Sequence, residues 1–148
     1  MNEPIRILLV DDSPYFLEAA HGFFSIHKSV KVIDSAMSAT EAMEKIQQLQ
    51  LDIILLDIKL GEASGLDLIP FIREVQPQTK IIVLTILNEA SYYDAAMHAG
   101  ADAFVAKPVM AENLLPVIHR LMTPPAAGAD TDPKAVLGKE SLLSKNIP

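Results

Sequence analysis

Five short runs of aliphatic residues alternate along the chain with segments in which apolar side chains recur every three or four positions. The runs are nearly continuous in Ile, Leu and Val, and they cover residues 5–10, 30–34, 52–57, 80–85 and 102–106. Because a strand that is apolar at consecutive positions is buried on both faces, the runs predict a parallel sheet. The other segments predict five helices, so the fold class is α/β with helices on both faces of a five-stranded sheet.

Local signals place the starts of two helices directly after strands. Ser13, followed by proline, combines a capping hydroxyl with a proline at the first helical position, and Ser38 has Glu41 three residues later, as in a capping box. Pro70 and Pro116 conflict with helix interiors, so each predicts a kink or a late helix start.

Composition narrows the classes of function. The chain has 148 residues, half of them hydrophobic, and a net charge of -7, which indicates one acidic domain with a tail and argues against a general nucleic-acid surface. The absence of cysteine excludes disulfides, thiolate catalysis and cysteine-ligated metals. No apolar run approaches the roughly 20 residues of a membrane span, and the amino terminus lacks the apolar core of a signal peptide. We therefore expect a cytoplasmic protein that does not engage membranes.

The character of the sequence changes near residue 123. The segment TPPAAGADTDP is typical of a linker, and a weakly amphipathic stretch follows it. We expect a folded domain over residues 1–123 and a linker-like tail over residues 124–148. The tail either belongs to a single-domain protein or leads to an output domain that this chain does not contain.

Polar side chains follow four of the predicted strands. The first strand ends at Asp11 and Asp12, the third at Asp57 and the fourth at Thr85, and Lys107 follows the fifth. Because the carboxyl ends of parallel strands meet at one edge of the sheet, we expect these side chains to converge. Each residue alone is commonly a turn former, a strand residue or a solvated loop charge, but a coincidence at four strand ends is far rarer.

The adjacent carboxylates of Asp11 and Asp12 raise an electrostatic question. Like charges so close together disfavour ionisation unless a cation accompanies them, and the candidates are a metal ion, a lysine or neither. Clustered carboxylate oxygens suit Mg²⁺, which keeps several of its waters. With Mg²⁺ on this pair and on one oxygen of Asp57, the other Asp57 oxygen can attack phosphorus and form an aspartyl-phosphate. Lys107 and Thr85 would then contact the oxygens of the transferred group.

These motifs make the sequence similar to the receiver domains of two-component response regulators. The matching pieces are LLVDDSP, DIILLDIKLGEASGLDLI, IIVLT and AGADAFVAKP, and the resemblance covers residues 5 to about 122. It implies a doubly wound, flavodoxin-like sheet of order 2-1-3-4-5. It also implies phosphorylation of Asp57 by a sensor histidine kinase or a phosphotransfer protein, Mg²⁺ as the cofactor, and a metal ligand from the backbone carbonyl of Lys59.

The resemblance further implies a conformational switch made of Thr85 and the aromatic residue Phe104. Signals would pass through the fourth helix, the fifth strand and the fifth helix, and change the surface around Tyr92, Tyr93 and Met97. A partner protein, or a second copy of the chain in a homodimer, would bind there. No nucleic acid is expected to bind this domain.

Three features depart from the family pattern. Leu60 and Gly61 replace a Met-Pro pair, which predicts a more flexible loop. Ile86 follows Thr85 where many members have a small residue, so access to the phosphoryl site is expected to be narrower. Phe104 lacks the hydroxyl of the tyrosine that is common at its position. None of these changes removes a residue that phosphorylation requires.

Other classes of protein fit the sequence less well. A haloacid-dehalogenase-type phosphatase would have a second Asp where this chain has Lys59, so a small Asp-nucleophile enzyme is a weaker alternative. A flavin binder needs a glycine- and hydroxyl-rich phosphate loop, and the Asp11 and Asp12 pair would repel a phosphate. A degenerate receiver would lack the acids. The receiver of a helix-turn-helix transcription regulator stays open as an alternative.

We expect no enzyme activity beyond Mg²⁺-dependent self-phosphorylation and dephosphorylation. The histidines lack the spacing of metal ligands and are expected to be structural or to face solvent; they are His21, His27, His98 and His119.

Overall fold

A computed structural model of the chain describes residues 3–124, which form a parallel sheet between two layers of helices. The strands of the main sheet are β1 (Ile5–Val10), β2 (Val30–Ala36), β3 (Ile53–Leu56), β4 (Lys80–Thr85) and β5 (Ala103–Ala106). The helices are α1 (Pro14–Ser25), α2 (Ala39–Gln48), α3 (Leu68–Val75), α4 (Ala90–Ala99) and α5 (Met110–Met122). The strand order is β2-β1-β3-β4-β5, with every pair parallel. The predicted doubly wound order is confirmed.

The strands alternate their side chains between two hydrophobic clusters, because consecutive residues of a strand point to opposite faces. In β1, Ile7 and Leu9 join the cluster under α1 and α5, whereas Leu8 and Val10 join the cluster under α2, α3 and α4. All four side chains are at most 1% exposed. The prediction of burial on both faces of the sheet is confirmed.

The helices cover the sheet through apolar faces of their own. On one face, α1 and α5 bury Leu17, Ala20, Phe24, Leu114, Val117 and Ile118. On the other face, α2, α3 and α4 bury Ala42, Ile46, Leu68, Ile69, Ile72, Tyr93 and Ala96. Burial of this apolar area on both faces is the main stabilising contribution to the fold.

Both predicted helix caps are present. Ser13 Oγ accepts a hydrogen bond of 3.1 Å from the Phe16 N–H, and Ser38 Oγ accepts one of 3.1 Å from the Glu41 N–H. The Glu41 side chain in turn accepts a hydrogen bond of 2.8 Å from the Met37 N–H. The two serine contacts use backbone donors that the first turn of a helix leaves without intrahelical partners, whereas Met37 lies just before the capping serine.

The two prolines behave differently. Pro70 is the third residue of α3, which begins late, at Leu68, and proline is tolerated there because first-turn N–H groups have no intrahelical acceptor. Pro116 lies inside α5, which begins at Met110, so of the two alternatives predicted there the late start is wrong, and the kink stays a prediction. The helix continues through this proline because its buried face packs against the sheet.

The loop after β3 contains a short antiparallel hairpin that the sequence pattern did not predict. Residues Lys59–Leu60 pair with Ala63–Ser64, and Gly61 occupies the turn with a φ of +61°. Glycine suits this turn because a positive φ carries no steric penalty without a Cβ. The hairpin lies directly beyond the carboxyl end of β3.

No helix within residues 3–124 is long and apolar enough to cross a membrane. The tail predicted over residues 124–148 lies outside the described residues, apart from its first residue, Pro124.

Candidate functional site

The carboxyl ends of the strands bring three of the predicted site residues into contact. The Asp57 N–H donates a hydrogen bond of 3.0 Å to the Val10 carbonyl, which places the end of β3 beside the end of β1. Lys107 begins a short 3₁₀ turn directly after β5, and its Nζ reaches both Asp11 and Asp57. The predicted convergence is confirmed for these three side chains, and Thr85 lies at the end of β4, the strand between β3 and β5.

Lys107 is the cation at the centre of this edge. Its Nζ lies 2.6 Å from Asp11 Oδ2 and 3.1 Å from Asp57 Oδ2. The lysine side chain is 14% exposed, and the two carboxylates are 4% and 9% exposed. Salt and water screen such a buried pair much less than a surface pair. The sequence left a metal ion, a lysine or neither as the partner of the acidic pair, and in the structure a lysine accompanies Asp11.

The two adjacent carboxylates have different surroundings. Asp11 is buried, and its Oδ1 accepts a hydrogen bond of 2.9 Å from the Ser13 N–H. Asp12 is half-buried, and its Oδ2 accepts a hydrogen bond of 2.8 Å from the Gly61 N–H in the hairpin turn. Asp11 therefore belongs to the lysine-centred group, whereas Asp12 faces the loop after β3.

Burial has the largest influence on the Asp11 carboxyl and raises its pKa above the ordinary value of an aspartate. The negative charge of Asp57 acts in the same direction. Hydrogen bonds from Lys107 and from the Ser13 N–H lower the pKa of Asp11 but do not cancel the effect of burial. The lysine is thus a main influence that favours the ionised form of Asp11.

Asp57 has one carboxylate oxygen committed and one unused. Its Oδ2 contacts Lys107, whereas its Oδ1 is buried and has no hydrogen-bond partner among residues 3–124. Buried carboxylate oxygens are normally paired, so an unpaired one indicates a site for an ion, a water or a ligand. The backbone of Gly65 packs closely against the Asp57 carbonyl group. A Cβ placed on Gly65 would lie 1.9 Å from the Asp57 carbonyl oxygen, so there is no room for a side chain there.

The oxygen donors at this edge fit a hydrated Mg²⁺ rather than a closed metal site. Within residues 3–124 no three acidic or histidine side chains form a ready-made metal cluster. Both oxygens of Asp11 already accept hydrogen bonds, whereas Asp57 Oδ1 is unpaired and Asp12 is half-buried. Because Mg²⁺ keeps several waters and needs few protein ligands, this set of donors is compatible with it.

The two residues of the predicted switch are both buried. Thr85 is 1% exposed, and its Oγ1 accepts a hydrogen bond of 3.2 Å from the Leu87 N–H. Phe104 is also 1% exposed, and its ring packs edge-to-face on Tyr93, with 5.7 Å between the ring centroids. Phe104 therefore contacts α4 through an aromatic pair.

The residues of the predicted interaction surface on α4 differ in accessibility. Tyr93 is only 7% exposed and its ring packs against Phe104, so it adds little to the accessible surface in this structure, and its part in a phosphorylation-dependent surface stays a prediction. Tyr92 and Met97 are half-buried and remain accessible. The accessible surface of α4 therefore lies beside Tyr93 and includes little of its ring.

The positions that depart from the family pattern have distinct environments. Leu60 is 4% exposed and fills an apolar position in the core, whereas Ile86 is 67% exposed beyond the end of β4. The histidines lie apart from the site residues: His21, His98 and His119 are exposed and His27 is half-buried. His119 Nε2 lies 3.0 Å from Ser29 Oγ.

One residue at the site was missed by the sequence analysis. The Nζ atom of Lys107 lies 3.9 Å from the centroid of the Phe16 ring. No sequence motif links the two positions. The one available signal was an aromatic residue in the first helical turn after the acidic pair.

Comparison with known proteins places this arrangement in a family. The response regulator receiver domain family matches residues 7–119. The chain belongs to this family. It is a phosphoacceptor receiver of the type used in two-component signalling, and Mg²⁺ binding is typical of such receivers.

Three relatives show how far the receiver resembles known proteins. The nitrate/nitrite response regulator NarL of Escherichia coli K12 is 29% identical over 118 residues, which are 80% of this chain and 55% of NarL. The chemotaxis protein CheY of Thermotoga maritima is 28% identical over 116 residues, which are 78% of this chain and 96% of CheY. A response regulator of Burkholderia pseudomallei, solved with a phosphorylated aspartic acid and a calcium ion, has a TM-score of 0.71 and 26% identity, covering 97% of this chain and 75% of that one. The chain spans about half the length of NarL.

Proposed function

We propose that Asp57 is the phosphoacceptor of this receiver and that its Oδ1 atom receives the phosphoryl group. The observation that carries the proposal is the asymmetry of the Asp57 carboxylate. Lys107 contacts Oδ2 at 3.1 Å, whereas Oδ1 has no partner among the described residues. A fixed carboxylate with one unused oxygen is suited to act as a nucleophile.

The transfer follows from the contacts of the site. Asp57 Oδ1 forms a bond to phosphorus, and the bond between phosphorus and the donor nitrogen of a phosphohistidine breaks, with the electron pair going to the imidazole. Lys107 lies close enough to neutralise one oxygen of the transferred group. The Thr85 hydroxyl lies at the end of β4 and is the proposed donor of a further hydrogen bond to that group. The donor protein is a sensor histidine kinase or a phosphotransfer protein.

We further propose that Mg²⁺ binds beside Asp57. Its ligands would be the carboxylates of Asp12 and Asp57, with Asp11 and the backbone carbonyl of Lys59 as additional oxygen donors. When bound, Mg²⁺ would supply positive charge that lowers the repulsion between the carboxylates and the phosphoryl oxygens. The half-buried Asp12 supports this assignment, and Asp57 would bind the metal through Oδ2, which leaves Oδ1 for the phosphoryl group.

The output of the receiver is proposed to be a change in protein contacts. Thr85 and Phe104 would link the phosphoryl site to the surface of α4, β5 and α5, where a partner or a second copy of the chain binds. We also propose that the receiver has no enzyme activity beyond self-phosphorylation and dephosphorylation. A cytoplasmic location is part of the same proposal. The domain would comprise residues 1–123.

A second candidate concerns the whole protein. The chain aligns with only 55% of NarL, so residues 124–148 are proposed to lead to an output domain, such as a helix-turn-helix domain of a transcription regulator. The receiver would act in the same way in either case.

Phosphorylation with a small donor tests the assignment of Asp57. The protein is incubated with acetyl phosphate and Mg²⁺, and its intact mass is measured. The parent protein is expected to gain one phosphoryl group, Asp57→Asn to gain none, and the exposed-residue control Asp67→Asn to behave like the parent. Equal labelling of Asp57→Asn and the parent would contradict the proposal.

Calorimetric titration with Mg²⁺ tests the metal ligands separately. Weak binding is expected for the parent, because Mg²⁺ retains most of its waters. Asp12→Ala should abolish this binding, and Asp67→Ala should not change it. Unchanged affinity in Asp12→Ala would show that Asp12 is no ligand and only anchors the hairpin through Gly61.

A further inference from the structure

Phe16 and Lys107 make a contact that the proposed transfer has not used. Phe16 lies in the first turn of α1, and its half-buried ring has the Lys107 Nζ atom 3.9 Å from its centroid. This distance is well inside the about 6 Å over which an ammonium is attracted to the face of an aromatic ring. The same ammonium contacts Asp11 and Asp57.

The two residues are also joined through the acidic side of the site. The Phe16 N–H donates to Ser13 Oγ at 3.1 Å, and the Ser13 N–H donates to Asp11 Oδ1 at 2.9 Å. Asp11 Oδ2 accepts from Lys107 Nζ at 2.6 Å. The four residues therefore form a closed circuit of contacts that fixes the first turn of α1 relative to the lysine ammonium.

We propose that Phe16 is a positioning residue, which holds the Lys107 ammonium at Asp57 through a cation–π contact. The proposal rests on the proposed role of Asp57 and adds a residue to it. A lysine side chain has four flexible carbons, so a contact that favours one rotamer increases the fraction of molecules with the ammonium in place. Phosphorylation changes the Asp57 carboxylate that contacts the lysine, whereas it leaves the Phe16 ring unchanged. Phe16 thus keeps the lysine at the site before and after transfer.

A packing role would depend on the volume of the ring, whereas a cation–π contact depends on its electrons. Phe16 does pack against the hydrophobic cluster under α1 and α5, so both roles are present in the structure. Fluorine atoms on the ring withdraw electrons and weaken the attraction to a cation while they change the shape little. A series of fluorinated phenylalanines therefore separates the two roles.

The test places phenylalanine with one, two or three fluorines at position 16 of the full chain. The initial rate of Asp57 phosphorylation by acetyl phosphate with Mg²⁺ is measured, together with the thermal unfolding midpoint. The rate is expected to fall stepwise, by about threefold to tenfold at three fluorines, with an unchanged midpoint. The control is the same series at Phe23 of the same helix, whose ring packs edge-to-face on Phe24 with 5.1 Å between centroids. Fluorination there should leave the rate unchanged.

A second measurement reads the contact without any phosphoryl transfer. Protons above an aromatic face shift upfield in an NMR spectrum, so the ε-methylene protons of Lys107 should be shifted upfield in the parent. The shift should be retained in Phe16→Tyr and lost in Phe16→Leu, and the phosphorylation rates should follow the same order.

The two readouts distinguish the ways in which the inference can fail. A parent that is phosphorylated on Asp57 but shows a flat fluorine series would overturn the role of Phe16 alone. A Lys107 signal without an upfield shift in the parent would overturn the contact itself. If the Lys107 signal is shifted upfield but the parent is not phosphorylated on Asp57, the proposed function is contradicted. Any role of the contact in phosphoryl transfer is then contradicted as well.

Discussion

Lys107 Nζ lies 2.6 Å from Asp11 Oδ2, although the two residues follow strands that are not neighbours in the sheet. β3 and β4 lie between β1 and β5, so the lysine side chain spans the carboxyl ends of the strands that separate them. Both groups of the ion pair are largely buried. Lys107 therefore links the ends of two strands that share no backbone hydrogen bonds.

Replacement of Lys107 by Met should destabilise the protein by about 3 kcal/mol at pH 7, because it leaves two buried carboxylates without a cation. Burial already raises the pKa of Asp11, and loss of the lysine would raise it further. The folded form would then bind a proton more readily than the unfolded form. The destabilisation should therefore shrink as the pH falls through the raised pKa of Asp11, as measured by urea unfolding at several pH values.

Asp11→Asn is the matched second change. In the background of Lys107→Met, Asp11→Asn removes one of the two unpaired charges and should restore part of the lost stability at pH 7. A double variant less stable than Lys107→Met alone would argue against a buried charge as the cause.

A second ion-pair group holds α2 to the end of β2. Lys45 Nζ lies 3.0 Å from Asp34 Oδ1 and 3.0 Å from Glu41 Oε2. Burial acts to raise the pKa of Asp34, but hydrogen bonds from the Ser35 N–H and from Lys45 outweigh it, and the pKa is lowered. The pKa of Glu41 is lowered by the Met37 N–H and then by Lys45. Stability from these acids is therefore present above their ordinary pKa values and is lost as the pH falls through the lowered ones.

Lys45→Met should reduce the free energy of unfolding by about 0.5 kcal/mol at pH 7, a small effect because both acids are substantially exposed. The difference from the parent should vanish as the pH falls through the lowered pKa values of Asp34 and Glu41, where the acids become protonated. Lys31→Met, at an exposed position on β2, is the control and should change stability little at any pH. A Lys45→Met effect that persists unchanged into acid would point to lost packing of the lysine stem instead.

Two glycines should respond in opposite directions to replacement by alanine. At Gly65 an added Cβ would lie 1.9 Å from the Asp57 carbonyl oxygen, so Gly65→Ala should cost more than about 2 kcal/mol and slow phosphorylation. At Gly22, inside α1, nothing lies within 4 Å of an added Cβ. Gly22→Ala should therefore stabilise the protein by about 0.5–1 kcal/mol. Urea unfolding of both variants checks the pair, and a Gly65→Ala variant as stable as the parent would contradict the close approach.

Thr85→Ala should separate phosphorylation from signalling. The change removes the hydroxyl that is proposed to contact the phosphoryl group, while Asp57 and Lys107 stay in place. Phosphorylation of Asp57 should be largely intact, and phosphorylation-dependent self-association or partner binding should weaken. The measurement is analytical ultracentrifugation with and without acetyl phosphate.

Thr79→Ala is the control for Thr85→Ala. Thr79 is also a buried threonine, but its hydroxyl donates to the Leu51 carbonyl at 2.9 Å, away from the site. Its replacement should lower stability without changing the response to phosphorylation. Identical association of the Thr85→Ala variant and the parent would show that the switch runs through other residues.

The main sheet was predictable because its strands carry apolar side chains at consecutive positions, and only two-sided burial explains that pattern. Strand β2 was predicted two residues short, since Ser35 interrupts the apolar run before Ala36. The hairpin of residues 59–64 was not predicted, because each of its strands has only two residues and shows no alternation. For Pro116 the sequence left a kink or a late helix start open, since the packing that holds α5 together is tertiary.

The candidate site was predictable as a set of residues but not as a set of contacts. Asp11 and Asp12 are chemically equivalent in the sequence, and only the fold separates them into a partner of Lys107 and a partner of Gly61. The Phe16 contact joins distant positions through the packing of α1 against the turn after β5, which no local pattern encodes.

Reductive trapping of the phosphorylated residue tests the central claim most directly. An acyl phosphate is reduced by borohydride to an alcohol, so a phosphorylated aspartate becomes a homoserine that peptide mass spectrometry can locate. After treatment with acetyl phosphate and Mg²⁺, homoserine is predicted at position 57 and at no other aspartate. Homoserine at Asp11, Asp12 or Asp52, with an unmodified Asp57, would contradict the assignment of the phosphoacceptor.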